Sequence, residues 1–467
     1  MITLNLNSDA PLLPRALAVL CAFATLSPSV HATQGDKNQL EHIVVNAQKS
    51  PQNLQEVPVA VTAMSGDSLV EAVIKDVFDL QNYVPSFAAF QNQSVTNSGF
   101  SIRGIGTSSQ NFGFESSVGL YVDGVYRSRQ NALINDLVDI ASVEILRGPQ
   151  GTLFGRNTIG GVIQINRTRP TRDFGFKVKL DLEEDNTTDT KMIFNAPLGD
   201  NGGIKLSLRK LESDSFMFNV TRDEREKARD LESASVALDF DLTENVNVQF
   251  IFDNYNDNSQ HNLLSITKFY TNKIGANQGV FDLLGQGAGT SGDLSAANDY
   301  KTVYSAAPFY SGIQGNNMTF KVEWELDNHT LKYIGGNNDF EELMDICSWG
   351  SPGGVVTPDC VYPVVRDQDY EQTSHELQLI SDSGGSLSYT LGLFYIETEA
   401  NMDSGPVGNF RSQQEAEAQA VFADFSYDIS EEWTLGLGLR YTEEEKEFAI
   451  QNYAFFADKI AIGYGLK

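Results

Sequence analysis

The side chains in this 467-residue sequence most able to do chemistry are few and scattered. Its five histidines, His31, His42, His261, His329 and His375, stand apart, so no metal site and no cofactor is expected from them. No H-E-x-x-H, G-x-S-x-G or Walker sequence occurs, which argues against an enzyme. Gly287, Gly289 and Gly292 satisfy G-x-G-x-x-G, but their flanks are polar and lack the strand and helix of a dinucleotide fold, so they read as an external loop. Cys347 and Cys360 flank the Gly/Pro-rich "CSWGSPGGVVTPDC" with no His beside them. In an exported chain this spacing suggests a local disulfide, worth roughly 3 kcal/mol through restriction of the unfolded chain.

The remaining composition bounds the class. Sixty-two acidic against 33 basic residues give a net charge of -29, which disfavours nucleic-acid binding because phosphates demand a basic footprint. Thirty-nine glycines and 10% aromatics suit a β-rich chain with many turns. Arg15, the apolar run Ala16 to Leu26 and the small residues of "VHA" (Val30 to Ala32) have the pattern of a signal peptide, expected over residues 1–32. That leader would carry Cys21 away with it. No stretch of 18 apolar residues occurs, so no transmembrane helix is expected, although a barrel would still cross a membrane.

Two textures follow the leader. Up to about residue 170 come short strand-like runs, a strand and helix in "VPVAVTAMSGDSLVEAV" with Ser65 or Asp67 as N-cap, and a second helix in "KDVFDLQNYVPSF" ended by Pro85. "VEILRGPQGTLFGRNTIGGVIQINRTRP" (143–170) then sets Gly148, Pro149, Gly151, Gly155, Gly160 and Gly161 between two apolar runs, which calls for a compact, closely packed connection. These residues predict a small α+β domain with a mixed sheet. From Thr171 onward, segments such as "AVFADFSYDISEEWTLGLGLRYTEEE" alternate apolar and polar residues with short turns, and long polar loops cover 257–315 and 340–370. Period two, strands of about ten residues and unequal loops predict an antiparallel transmembrane β-barrel over a soluble sandwich.

Residues 41–170 resemble the plug domain of TonB-dependent outer-membrane receptors: "HIVVNAQ", "VPVAVTAMSGDSL", "FSIRGIG", "LYVDGVYRSR" and the glycine-rich stretch stand in that family's order. The resemblance implies four parts: the leader, a periplasmic extension at 33–46 with a TonB box, a plug at 47–170, and the N-terminal part of a 22-stranded barrel at 171–467. Glu41, His42, Ile43, Val44, Val45, Asn46 and Ala47 would bind TonB by strand addition. Ligand-facing plug loops would present Gln91, Asn92 and Gln93, then Ser109, Gln110, Asn111 and Phe112, then Arg127, Arg129 and Gln130. Arg103 beside Gly104 and Arg147 beside Gly148 would pair with wall carboxylates such as Glu183, Glu184, Asp239, Asp241, Glu323 and Glu325.

The implied function is active uptake of a scarce chelated nutrient across the Gram-negative outer membrane, with a ferric siderophore as the leading ligand. Cobalamin, haem or oligosaccharide are the alternatives within the class, and a passive porin or a non-functional receptor fragment the alternatives outside it. The implied partners are TonB with its inner-membrane complex, outer-membrane lipid and the ligand. One feature departs from the family: residues 171–467 provide about a dozen strands and the end, "IAIGYGLK", lacks a terminal aromatic strand. The expectation is therefore an incomplete barrel that by itself neither inserts stably nor transports, since an open edge in lipid leaves backbone groups unpaired.

Overall fold

A computed structural model of the chain describes residues 44–45, 48–50, 52–54, 57–91, 98–107, 113, 115–130, 138–219, 222–259, 301–303, 310–347, 363–381, 385–405, 410–430, 432–452 and 460–466. All of them fall within one unit, Ile43–Lys467.

The plug is built on a five-stranded sheet. Strands β3 (Ala60–Ser65), β7 (Val118–Val122), β8 (Val125–Arg127), β9 (Ile140–Arg147) and β10 (Gly161–Arg167) lie in the order β3-β9-β10-β7-β8. Only β10 and β7 run parallel, which is the mixed sheet expected. The pair β1 (Val44–Val45) and β2 (Gln52–Asn53) and the meander β4 (Phe87–Gln91), β5 (Ser98–Ile102), β6 (Ile105–Gly106) complete it. Helix α1 (Gly66–Glu71) starts where Ser65 Oγ accepts from Ser68 N at 3.2 Å. Its core is apolar and includes fully buried Phe100, Leu120, Ile145 and Ile163. The second expected helix is reduced to a 3-10 turn, Asp79–Asn82, because Asp76 and Asp79 bond the backbone of their own turn.

Two of the glycines explain the 143–170 stretch. Gly161 has φ +148°, and a Cβ there would lie 2.1 Å from the Leu146 carbonyl oxygen, so β9 and β10 pair closely only with glycine. Gly155 has φ +78°, and its missing side chain makes room for the Arg440 guanidinium, 2.6 Å from where a Cβ would stand. One glycine therefore serves the sheet and the other the approach to the wall.

The wall is a meander of β11 (Gly175–Glu183), β12 (Thr187–Pro197), β13 (Gly202–Asn219), β14 (Glu224–Thr243), β15 (Val246–Asp257), β17 (Tyr310–Leu326), β18 (His329–Cys347), β19 (Pro363–Ser381), β20 (Leu387–Gly405), β21 (Phe410–Ser430), β22 (Trp433–Asn452) and β23 (Ile460–Leu466), with β16 (Thr302–Val303) set beside β13. All neighbours along the meander are antiparallel, and among the described residues β11 and β23 each have one partner. Connections at one end are short: 198–201, 244–245, 327–328, 382–386 and 431–432. At the other end β15 joins β17 through 258–309.

Strand length corrects one expectation. Strands β17 to β22 run 17 to 21 residues instead of about ten, so strand covers 340–347 and 363–370 of the loop expected at 340–370, and 348–362 lie outside the described residues. The outward side chains supply the reason. Along β22, Trp433, Leu435, Leu437, Leu439 and Tyr441 are exposed and apolar, and the same face continues as Glu443, Glu445 and Glu447. About nine residues suffice to cross the hydrocarbon layer. The hairpins then continue past it as a charged collar.

Candidate functional site

The site is the seam where the plug meets the inner face of the wall. In the hairpin of β7 and β8 the turn residues Asp123 and Gly124 have φ +50° and +85°, as in the type I′ turns that an Asp-Gly pair favours. This turn carries the Asp123 carboxylate to the wall. Arg167, at the end of β10, donates from Nε to Asp123 at 2.6 Å and forks onto Asp253 of β15 at 2.6 and 3.1 Å. All three side chains are largely buried, and Lys205 of β13 reaches Asp139 of the plug at 2.8 Å nearby. A cavity of about 60 Å³ lies among Asp123, Arg167, Lys205 and Asp253.

Further anchors lie along the seam. Arg156 bonds Glu115 within the plug and Glu444 of β22 at 2.8 Å, while Lys446 donates to the Gly113 carbonyl at 3.1 Å. Beyond β8, Gln372 of β19 donates to the Tyr126 carbonyl at 2.6 Å and accepts from Ser128 N at 3.0 Å. Lys49 pairs with Glu376 of β19, both buried, with its ammonium 5.0 Å from the Phe422 ring and 5.3 Å from that of Phe154. Arg169 reaches Asp239 at 2.7 Å and Arg172 meets Asp241, but these arginines are half exposed and contribute little by comparison.

The buried pairs are where removal of a single partner costs the most. Breaking one typically costs about 3–5 kcal/mol because the orphaned partner stays buried. Burial alone would raise the Asp123 carboxyl, but the Arg167 guanidinium beside it holds it down at about 2. A depressed carboxylate contributes stability that is complete above the unfolded value near 4 and is lost as the pH falls through about 2, here about 2 kcal/mol. Protease resistance of the plug should hold from pH 7 to about 4 and fall below that. Asp123→Asn should already be less resistant at pH 7 and change less over the acid range.

The expected site residues fall into three groups. Asn92, Gln93, Ser109, Gln110, Asn111, Phe112, Glu41, His42, Ile43, Asn46, Ala47 and Cys360 lie outside the described residues. Cys347 ends β18, and Gln91 ends β4. Val44 and Val45 are extended, but they are paired with Asn53 and Gln52, and Val45 is fully buried against a cluster that includes Tyr121, Leu146 and Phe422.

Two placements differ from the sequence reading. Arg127, Arg129 and Gln130 are buried instead of standing in an open loop. Gln130 is an internal brace of the plug, accepting from Phe100 N at 3.1 Å and donating to the Val118 carbonyl at 3.2 Å. Arg129 donates to Gln414 of the wall at 3.4 Å and lies over the Tyr370 ring. Nη1 of Arg127 has no partner among the described residues.

Arg103 and Arg147 make no ion pair with the wall among the described residues. Arg103 (φ +54°) and Gly104 (φ +77°) form the left-handed turn between β5 and β6, which leaves Arg103 exposed. Among the described residues, Arg156, Arg167, Arg169 and Arg172 pair with wall carboxylates, as do Lys49 and Lys75. Four of the carboxylates named from sequence do receive cations: Glu183 from Lys75, Asp239 and Glu323 from Arg169, and Asp241 from Arg172. The missed signal was "NRTRP": period two along a strand puts Arg167 and Arg169 on one face as the chain leaves the plug.

A small mixed-sheet domain bonded to the inner face of an antiparallel, outwardly apolar sheet is the organisation of a plugged barrel. Residues 53–162 match the TonB-dependent Receptor Plug Domain family. The chain is 34% identical to the pesticin receptor of Yersinia pestis over 146 residues, which is 31% of this chain and 21% of that protein. It is 30% identical to the iron-regulated outer membrane virulence protein of Vibrio cholerae over 166 residues, 33% of this chain and 24% of that protein. Its fold is similar to the ferric yersiniabactin uptake receptor of Yersinia pestis, with a TM-score of 0.69 at 18% identity over 87% of this chain and 60% of that one. The matches span about a fifth to a quarter of the curated relatives' length. Residues 53–162 thus match the plug domain of TonB-dependent receptors, and the plug with the strands that follow it has the fold of a plugged receptor barrel.

Proposed function

We propose that this chain supplies the plug and part of the barrel of a receptor that imports a chelated nutrient, foremost a ferric siderophore, through the Gram-negative outer membrane. The observation that carries the reading is the chemistry of the seam. Its bonds run between charged and polar groups, so water entering the lumen can take their place as the plug is displaced. The seam also holds an apolar patch, Val45 and Phe154 against Ile396 and Phe422, which the pull on the N-terminal segment would have to open. The siderophore preference is supported by the relatives, whose names include a ferric yersiniabactin uptake receptor and an iron-regulated outer-membrane protein.

Energy would reach the plug through residues 41–47, drawn on by TonB across the periplasm. Val44 and Val45 are the β-branched pair suited to adding a strand to a partner sheet. Deleting residues 41–47 from the receptor gene tests this. Uptake of labelled ferric siderophore by cells lacking other receptors should fall to background, while binding at the cell surface stays within about twofold. Uptake that persists would point to a passive pore.

A further inference from the structure

The outward face of the wall carries a concavity of about 720 Å³ spanning β12 to β18, separate from the seam. Strand register gives it two rows. In the lower, Met192, Leu208 and Ala234 lead across into Asn254, Asn316 and Asp339. In the upper, Lys210 and Glu232 lead into Asn256, Gln314 and Glu341. One row further toward the short turns the same face is Leu206, Val236, Phe252 and Met318. The groove thus straddles the upper edge of the apolar band, on the side of the long 258–309 connection.

Its polar half is a row of amide and carboxylate edges. Asn254 Nδ2 donates to Asn316 Oδ1, Asn316 Nδ2 to Asp339 Oδ2, and Gln314 Nε2 to Glu341 Oε2, each at 2.9 Å. Such groups retain further donors and acceptors on the exposed side and match neighbouring hydroxyls, which both give and take hydrogen bonds. A phosphate fits poorly. Arg209 at the rim is held by Asp189 at 2.8 Å, and Lys210 is shared by Glu232 and Glu212 at 2.9 and 3.3 Å. Asp339 and Glu341 would repel an anion.

We propose that this groove seats a membrane lipid with an uncharged saccharide headgroup. Its hydroxyls bond Asn254, Asn316 and Gln314, and its acyl chains lie over Val236, Phe252 and Met318. The proposal rests on the reading of the wall as membrane-spanning.

The test uses the protein extracted from outer membranes of cells that make it, transferred into phosphatidylcholine nanodiscs. The discs carry equal fractions of digalactosyl diacylglycerol and phosphatidylglycerol with matched acyl chains, and retained lipid is read by native mass spectrometry. Digalactosyl diacylglycerol should be retained about tenfold over phosphatidylglycerol, and the double variant Asn254→Leu, Asn316→Leu should lose that preference while entering discs as before. Equal retention of the two lipids, or an unchanged preference in the variant, overturns the groove and leaves the membrane reading standing. Protein that partitions away from the discs overturns both.

Discussion

Replacing Arg167 with Met is expected to weaken the seating of the plug by about 3–5 kcal/mol. The substitution leaves Asp253 buried on the wall without its fork and Asp123 without the cation that holds it ionised. Asp123 keeps one compensating bond, from the Arg167 backbone N–H at 3.0 Å, which a substitution of the side chain does not remove. The measurement is the urea concentration at which protease cuts the plug in membrane-embedded receptor, and it should drop sharply. Arg167→Lys should recover only part of the loss, because one ammonium does not reproduce a planar fork spanning two carboxylates. Arg169→Met serves as the comparison: its partners are more exposed, and a shift of under about 1 kcal/mol is expected.

The second large effect is expected at Lys49. Lys49→Met leaves Glu376 buried without its paired ammonium, at a similar cost of about 3–5 kcal/mol. The hairpin of β1 and β2 should then release from the wall, and hydrogen exchange at residues 44–53 should quicken by about a hundredfold or more. Adding Glu376→Leu to Lys49→Met should restore most of the protection. Met fills the aromatic cage, and a buried ion pair replaced at both ends by apolar groups is commonly neutral. If the double variant exchanges as fast as the single one, the hairpin is held by something other than this pair.

Much of the architecture was legible because it depends on local rules. Asp123-Gly124 announces its hairpin, Ser65 announces its helix, and period two in β20 to β22 shows which face is apolar. The carboxylates of the wall were legible as well, since inward residues alternate with outward ones. Their partners were not. Arg103 reads as a strand residue beside a glycine, yet that glycine makes the pair a left-handed turn that leaves the arginine exposed. Arg167 meets Asp253 across 86 residues, and Lys49 meets Glu376 across 327, so these pairings follow from sheet register and plug orientation, which no local window contains. Strand length escaped for a different reason. Alternation continues where the outward residue changes from Leu439 to Glu443, so apolar content marks the membrane while the strand itself goes on.

The central claim is that the plug sits on the inner face of the wall and has to move for the ligand to pass. Ser128→Cys with Gln372→Cys, joined by a short bis-methanethiosulfonate reagent that takes the place of the Gln372 side chain reaching Ser128 N at 3.0 Å, tests it directly. In outer membranes the reagent should cross-link the two cysteines in most molecules, uptake should stop, and reduction should restore it. Absence of the cross-link, or undiminished uptake by cross-linked receptor, would contradict the account.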